Sequence, residues 1–424
     1  MSAEEVSGKG ANHAKGALPD GWRWVKLSAA SEQDRKTVEP NSRLAAGLPY
    51  LSLEHVESNT GRILREPADR IEDEGRSATF AFDSRHVLYG KLRPYLNKVA
   101  LPGFTGRCTT EIIPLLPNDG VHREFLCWLL RRPQTVEAAM QGKTGSRMPR
   151  ADMDELMKLE IPLPPFPEQK RIAGILTEQM AAVERARRSA EAQLQAAENL
   201  PAAYLRLIFN CGESKSCARR PFTEVCELLP ARSVTTNGDT EVLAVTTACL
   251  TESGFRPSGV KRARMWGKDA AECVLTAGEI LIARSNTPEL VGRVAMFSGE
   301  PKGAVASDLT IRIRAKDHIE PTFLTAYLSS LYLTGYWRER AGGASGSMKK
   351  ITRSQIQKEQ VPLPPLLDQR RIASQLAAQM ASAWRLRRTL TDQLDMVNKL
   401  PAALLRRAFD GGYDDGRTDE QRKR

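Results

Sequence analysis

The chain has 424 residues, of which 41% are hydrophobic and 27% are charged, so it can bury more than one core and is not disordered as a whole. Its 62 Lys and Arg outnumber its 51 Asp and Glu, and the net charge of +11 suits a polyanionic partner such as nucleic acid. No segment approaches the roughly 18 consecutive apolar residues of a membrane helix, and no apolar stretch follows the charged N-terminus, so we expect a cytoplasmic protein.

The sequence has no pattern of residues that would support catalysis or metal binding. Its seven cysteines form no C-x-x-C pair, and its five histidines have no metal-ligand spacing. The segment Gly142-Lys143-Thr144 lacks the earlier glycine of a phosphate-binding loop, and Pro164-Pro165-Phe166 lacks the preceding Asn or Asp of an amino-methyltransferase motif. We therefore predict no catalytic residue, no metal site and no cofactor in this chain.

The chain contains an internal repeat with an offset of 200 residues. The block at 161–173 returns at 361–373 with eight of thirteen positions identical, and the block at 199–209 returns at 399–409 with seven of eleven identical. Two blocks that keep one register over this distance indicate a duplicated unit.

The repeated blocks follow two dissimilar stretches, about residues 20–160 and 217–360, which share an outline but little sequence. In chain order, each predicts β-strands, an apolar run that leads into a basic loop, a helix and a second basic loop. The chain is thus organised as variable, constant, variable, constant.

Each constant segment predicts one long helix. The Pro-rich lead-in cannot be helical, whereas the residues from Pro167 and from Leu367 onward are mostly good helix formers, with an acidic residue in the first turn. Apolar residues then recur at coiled-coil spacing, and we predict that the two helices pack on each other antiparallel. The alternative is that each helix packs on its own preceding domain. The predicted interface residues are Leu176, Met180, Val183, Leu194, Leu376, Met380, Leu390 and Leu394.

Two features interrupt these helical patterns. Arg187 and Arg387 occupy seam positions at the same depth, where they either extend along the seam to solvent or contact DNA or a partner. Pro201 and Pro401 are expected either to kink the helix or to begin a new short one.

The repeated I-P-L-P-P-x-x-E/D-Q-K/R-R-I-A and L-P-A-A-x-L-R blocks, the Leu18-Pro-Asp-Gly-Trp22 segment and the divergent stretches resemble the specificity (S) subunit of type I restriction-modification enzymes. The resemblance covers residues 18–412. It implies an α+β fold in which two long conserved helices, forming an antiparallel coiled coil, separate two target-recognition domains related by a pseudo-twofold repeat. In that family the subunit is not catalytic and reads a split DNA site. It docks two methyltransferase (M) subunits and restriction (R) subunits, which use S-adenosylmethionine, ATP and Mg.

The repeat and the resemblance together predict the domain boundaries. We expect a disordered N-terminal tail at 1–17 and a charged C-terminal tail at 413–424. Between them we expect a first target-recognition domain at 18–160, a central helical region at 161–212, a second target-recognition domain at 213–360 and a distal helical region at 361–412.

The basic loops are the candidate DNA-binding elements, because Arg and Asn can pair with base edges and Lys more often contacts phosphate. For any one of these residues the alternative is a solvated surface charge or a local hydrogen bond. The alternative for the whole chain is an inert two-repeat scaffold that binds RNA or protein. The candidates are Lys91, Arg93, Asn97, Lys98, Lys143, Arg147 and Arg150 in the first domain, and Arg284, Ser285, Asn286, Arg293, Lys349, Lys350 and Arg353 in the second.

Overall fold

The computed structural model describes residues 18–40, 42–64, 77–145, 147–211, 217–345 and 347–410. The two predicted tails, 1–17 and 413–424, lie outside these residues. The described chain divides into two compact units. The first unit runs to Ser189 and includes the residues from Leu394 onward, and the second unit is the continuous stretch Ala190–Gln393. Each long helix is therefore shared between the two units.

The first unit mixes short strands with helices. Its strands are β1 Arg23–Lys26, β2 Ser31–Gln33, β3 Thr37–Val38, β4 Tyr50–Leu51, β5 Thr79–Phe82, β6 Val87–Gly90, β7 Val99–Ala100, β8 Gly106–Thr109, β9 Ile112–Pro117, β10 Lys143–Thr144, β11 Arg150–Ala151 and β12 Glu160–Leu163. Its helical segments are Leu27–Ala30, Arg43–Gly47, Leu53–His55, Pro94–Leu96, Arg123–Arg131, Pro133–Gln141 and Met153–Met157.

The second unit repeats this plan. Its strands are β13 Arg219–Pro221, β14 Cys226–Leu229, β15 Thr240–Val245, β16 Leu250–Thr251, β17 Gly254–Phe255, β18 Lys261–Met265, β19 Ile280–Ala283, β20 Ser285–Asn286, β21 Val294–Met296, β22 Ala304–Ala306, β23 Thr310–Ala315, β24 Gly342–Ser345, β25 Met348–Lys350 and β26 Gln360–Pro362. Its helical segments are Phe222–Val225, Thr247–Cys249, Pro257–Gly259, Gly267–Cys273, Pro321–Leu333, Tyr336–Arg340 and Arg353–Gln357.

Each unit contains a central four-stranded antiparallel sheet, with strand order β2-β9-β6-β7 in the first unit and β14-β23-β19-β21 in the second. A second sheet, β3-β5-β8-β4 or β18-β15-β22, contains one parallel pair in each unit. The sequence start of each recognition domain pairs with its end, through β1 with β12 and β13 with β26. These matching sheets confirm the predicted α+β fold with an internal repeat.

The central sheets are buried on both faces, which explains why strands β6 and β19 are apolar throughout. In β6, Val87 and Tyr89 belong to the core that includes the helices, whereas Leu88 belongs to a second core with Leu51 and Phe82. In the second unit, Ile280 and Ile282 of β19 face one core while Leu281 and Ala283 face another. A strand with two buried faces reads as a continuous apolar run rather than an alternating one.

The first long helix is Phe166–Arg206 and the second is Leu366–Phe409. Each continues through its internal proline, Pro201 or Pro401, so no new helix begins there. A π-helical turn, Leu207–Cys211, follows the first. The long helices carry many charged residues, and no described helix combines a membrane-spanning length with an apolar composition.

The start of one long helix shares a core with the end of the other in both units. In the first unit, Leu176 lies in one buried cluster with Leu405 and Phe409. In the second unit, Leu376 lies in one buried cluster with Leu205 and Phe209. The two helices therefore run in opposite directions, as predicted. The first turns of each helix also pack on the domain that precedes it, with Ile172 and Ile372 in the two domain cores. The alternative, in which each helix packs on its own preceding domain, therefore holds for the start of each helix.

A buried glutamine fixes the start of each long helix to its recognition domain. The Gln169 amide donates to the carbonyls of Pro164 (2.9 Å) and Gly120 (3.0 Å), and its Oε1 accepts from the His122 backbone N–H (2.7 Å). Gln369 does the same with Pro364 (2.8 Å), His318 (3.2 Å) and Glu320 (2.8 Å). Both side chains are 1% exposed, so every polar atom must find a protein partner. We call these two residues the glutamine clasps.

Candidate nucleic-acid interface

In each unit the central strand runs on into a short extension that pairs with a β-hairpin. In the first unit, the Lys91 N–H donates to the Glu111 carbonyl (2.9 Å), and the Lys91 carbonyl accepts from the Ala151 N–H (2.8 Å). In the second, the Arg284 N–H donates to the Leu309 carbonyl (2.9 Å), and its own carbonyl accepts from the Ile351 N–H (2.8 Å). Lys91 and Arg284 are thus equivalent positions in the two units.

The strand extensions and hairpins form what we call the basic edges, defined as residues 91–93 with 142–151 and residues 284–286 with 342–353. In the first edge, β10 pairs with β11, and the Arg93 N–H donates to the Pro149 carbonyl (2.7 Å). In the second edge, β25 lies between β24 and β20. Each hairpin is therefore anchored to the central sheet by backbone hydrogen bonds, which makes it a rigid support for side chains.

Four predicted cations of the first basic edge are not bound by another described group. Lys91 is half-buried, and Arg93, Lys143 and Arg147 are exposed. Within the described residues, their side chains form no hydrogen bond or ion pair. Arg93 also has a left-handed backbone, with φ of 52°. These cations are available to an anionic ligand.

Three other predicted residues of the first domain form side-chain hydrogen bonds within the domain. The Asn97 amide donates to the carbonyl of Arg131 (2.9 Å). The Lys98 ammonium donates to the Leu53 carbonyl (2.6 Å), and burial lowers the pKa of Lys98. Arg150 binds both carboxylate oxygens of Glu111 (2.9 and 3.1 Å), and this bond raises the pKa of Arg150.

The second basic edge divides in the same way. Lys350 is exposed and Lys349 half-exposed, and neither side chain bonds to another described residue. Arg284 donates to the Asp308 carbonyl at 3.3 Å, and the Asn286 Oδ1 accepts from the Thr287 N–H at 2.9 Å. Ser285 is 8% exposed.

The remaining two predicted residues of the second domain are held by neighbouring groups. Arg293 donates to the Tyr332 hydroxyl (3.1 Å) and lies 3.7 Å from the Glu252 carboxylate. Arg353 donates to the carbonyls of Leu228 (2.9 Å) and Leu229 (2.8 Å), and burial lowers the pKa of Arg353. None of the fourteen DNA contacts has been tested, and they stay predictions.

The sequence analysis missed Met148 and Met348, which lie on the two hairpins and are 44% and 47% exposed. Their offset of 200 residues is that of the repeated blocks, so the signal was present in the sequence. A methionine has neither charge nor a hydrogen-bond donor, so the pattern of basic loops does not point to it.

The arginines that interrupt the helical stripes bind nearby carboxylates. Arg187 binds Glu184 (2.9 Å), and this bond together with one from Arg188 lowers the pKa of Glu184 to about 2. Arg387 lies 3.8 Å from Glu198 of the first long helix and 3.5 Å from Glu252 of the recognition domain. Both arginines therefore form ion pairs within their own unit, and their contact with DNA or a partner stays a prediction.

The predicted helix interface residues differ in burial. Leu176, Leu376 and Leu390 are buried, with exposures of 0%, 2% and 5%. The other five are half-buried, and their assignment to one continuous interface stays a prediction. These are Met180, Val183, Leu194, Met380 and Leu394. No group of His, Cys, Asp and Glu in the described part of the chain is arranged to hold a metal ion.

A comparison with protein families decides what this arrangement belongs to. The model of the type I restriction modification DNA specificity domain matches residues 75–193 and 236–395, about two thirds of the chain. The chain belongs to this family. Each matched specificity domain contains one basic edge and the start of one long helix.

Individual relatives agree with the family. The chain is 28% identical over 157 residues to the type I restriction enzyme EcoDI specificity subunit of Escherichia coli, covering 37% of this chain and 34% of that protein. The chain spans about a third of the length of the curated relatives that it matches.

Two solved structures share the fold. A chain from a study of complex assembly and conformational transition of the type I R-M system matches over 94% of this chain and 100% of its own, with a TM-score of 0.76 and 23% identity. The HsdS subunit from Thermoanaerobacter tengcongensis matches over 94% and 99%, with a TM-score of 0.63 and 22% identity.

Proposed function

We propose that the chain is the non-catalytic DNA-specificity subunit of a type I restriction-modification complex and that each specificity domain reads one half of a bipartite DNA target. The observation that supports this most directly is the pair of basic edges. They share one backbone frame and differ in their side chains, as expected where sequence-reading residues vary on a fixed support.

The partners follow from the same proposal. Duplex DNA is the ligand of the two basic edges, and the repeated helical segments offer two similar docking surfaces, one for each of two methyltransferase subunits. Restriction subunits complete the complex for cleavage. S-adenosylmethionine, ATP and Mg act in those partner subunits, and the complex works in the cytoplasm.

An exchange of recognition domains tests the proposal. Residues 20–160 are replaced by the corresponding region of a relative, and the methylated motifs of host DNA are mapped by long-read sequencing. We expect one half of the bipartite motif to change while the other half is kept. Exchange of residues 217–360 is the matched control and should change the opposite half. A change in both halves, or in neither, after a single exchange would contradict the proposal.

A further inference from the structure

The two exposed methionines occupy equivalent places in the two basic edges. Met148 lies directly before the Pro149 carbonyl that accepts from Arg93, and Met348 begins the strand that pairs with Ser285–Asn286. A single exposed apolar side chain is ordinary. Two at the same place in two otherwise divergent hairpins indicate a shared requirement.

A glycine lies across the hairpin from the backbone carbonyl of each methionine. A Cβ atom added at Gly343 would lie 2.3 Å from the Met348 carbonyl oxygen, so this approach requires glycine. At Gly145 the corresponding distance to the Met148 carbonyl oxygen is 3.4 Å, and its φ of 81° also favours glycine. A glycine thus accompanies the exposed methionine in both hairpins.

The hairpins that carry the two methionines are rich in cations. Residues 142–151 and 342–353 each contain three Lys or Arg and no Asp or Glu. One of these cations, Arg150, is bound to the Glu111 carboxylate. Such a surface attracts a polyanion and disfavours an acidic protein. Duplex DNA offers two apolar groups to an apolar side chain that lies among cations. These are the thymine methyl group in the major groove and the face of a partly unstacked base.

We propose that Met148 and Met348 contact bases, each in one half of the DNA target, through their apolar thioether side chains. The inference rests on the proposed function and adds a pair of specificity-determining residues to it. A thioether is flexible and polarizable, so it fits either a methyl group or a base face.

The test compares Met148→Ala and Met348→Ala with Val274→Ala, a control at an apolar residue that is 43% exposed and lies outside both basic edges and both long helices. Each variant is assembled with its methyltransferase subunits, and binding to the duplex that carries the mapped motif is compared with binding to an unrelated duplex. We expect roughly tenfold weaker binding of the motif duplex for the two hairpin variants, unchanged binding of the unrelated duplex and no effect in the control. Thermal unfolding should be unchanged in all three, because the side chains are exposed.

Two DNA substitutions identify the apolar group that is contacted. Uracil in place of thymine removes the methyl group and should weaken binding of the wild-type complex, but not of the methionine variant, at the contacted base. 2-Aminopurine placed at successive steps should become brighter only in the wild-type complex if the side chain separates stacked bases.

Wild-type affinity and motif preference in both hairpin variants would overturn the inference, as would an equal loss for every duplex or a loss of methyltransferase binding instead. These outcomes leave the proposed function standing if the wild-type complex still prefers its motif. A wild-type complex without any preference would refute the proposed function itself.

Discussion

The two units have the same hydrogen bonds at the glutamine clasps but differ at the buried residue that precedes the central strand. Each clasp joins the first turn of a long helix to the residues just before a recognition-domain helix, with the same three hydrogen bonds. The residue that precedes the central strand is buried in both units, but its side chain and its partners differ. In the first unit it is His86, close to Asp34 (3.3 Å) and Asp83 (3.1 Å).

In the second unit the same position is Glu279, whose carboxylate binds Arg312 at 2.5 Å and Arg314 at 2.8 Å. Both His86 and Glu279 are 2% exposed. The contacts that join a specificity domain to its long helix are thus kept in both units, whereas the interior of the domain has been rebuilt, including a buried polar residue and its partners.

The largest effect is expected from the rebuilt interior. Glu279→Ala leaves the Arg312 guanidinium, 4% exposed, without its carboxylate, and a buried ion pair that loses one partner costs about 3–5 kcal/mol of the free energy of unfolding. Denaturant unfolding measures it. The control is Glu227→Ala, since Glu227 is 59% exposed and 4.0 Å from Arg314, and its loss should cost less than about 1 kcal/mol. Equal effects of the two substitutions would show that burial does not govern the Glu279 pair.

The glutamine clasps should respond alike. Gln169→Leu and Gln369→Leu each leave a buried backbone N–H and two carbonyls without their partner, and we expect each to cost about 2–3 kcal/mol. The comparison between units requires the two losses in the free energy of unfolding to be similar. A large loss of unfolding free energy after one substitution and none after the other would contradict the equivalence of the two clasps.

The clasps also show what the sequence could and could not predict. The repeat predicted that Gln169 and Gln369 are equivalent and that a helix starts beside them, because proline and helix propensity act locally. Two of the three hydrogen-bond partners of each glutamine lie about fifty residues earlier in the chain, in stretches without sequence similarity, so no local pattern indicates them.

The candidate site was predictable only in part, for the same reason. Basic residues near Gly-rich loops could be read from the sequence, and Lys91, Arg93 and Lys350 do lie on the edges with their charge available. Whether a cation is already used by the fold depends on distant groups, such as Glu111 for Arg150 or the Leu53 carbonyl for Lys98. Pairing across the fold decides which basic residues can reach a ligand.

The smallest effect is expected at the equivalent positions Lys91 and Arg284. Arg284→Ala should weaken readout of one half of the target by about 1–3 kcal/mol, because arginine can bind a guanine edge with two hydrogen bonds. Lys91→Ala should weaken binding of all duplexes alike, because lysine more often contacts phosphate. It should also reduce the slope of log affinity against log salt concentration by about one. Binding titrations at several salt concentrations separate the two. A sequence-dependent loss for Lys91→Ala, or none for Arg284→Ala, would reverse these assignments.

The sharing of the long helices has a consequence for biosynthesis. Phe409, near the end of the second long helix, packs against Phe125 of the first unit with 5.3 Å between ring centroids. The second unit is one continuous stretch and can fold as soon as it leaves the ribosome, whereas the core of the first unit waits for residues at the far end of the chain. Most of the first unit is therefore synthesised early, but its core is complete only after the residues from Leu394 onward have been added. Until then part of its apolar surface stays exposed. We expect aggregation of the nascent chain to be favoured until residues 394–409 have been synthesised and pack on the first unit.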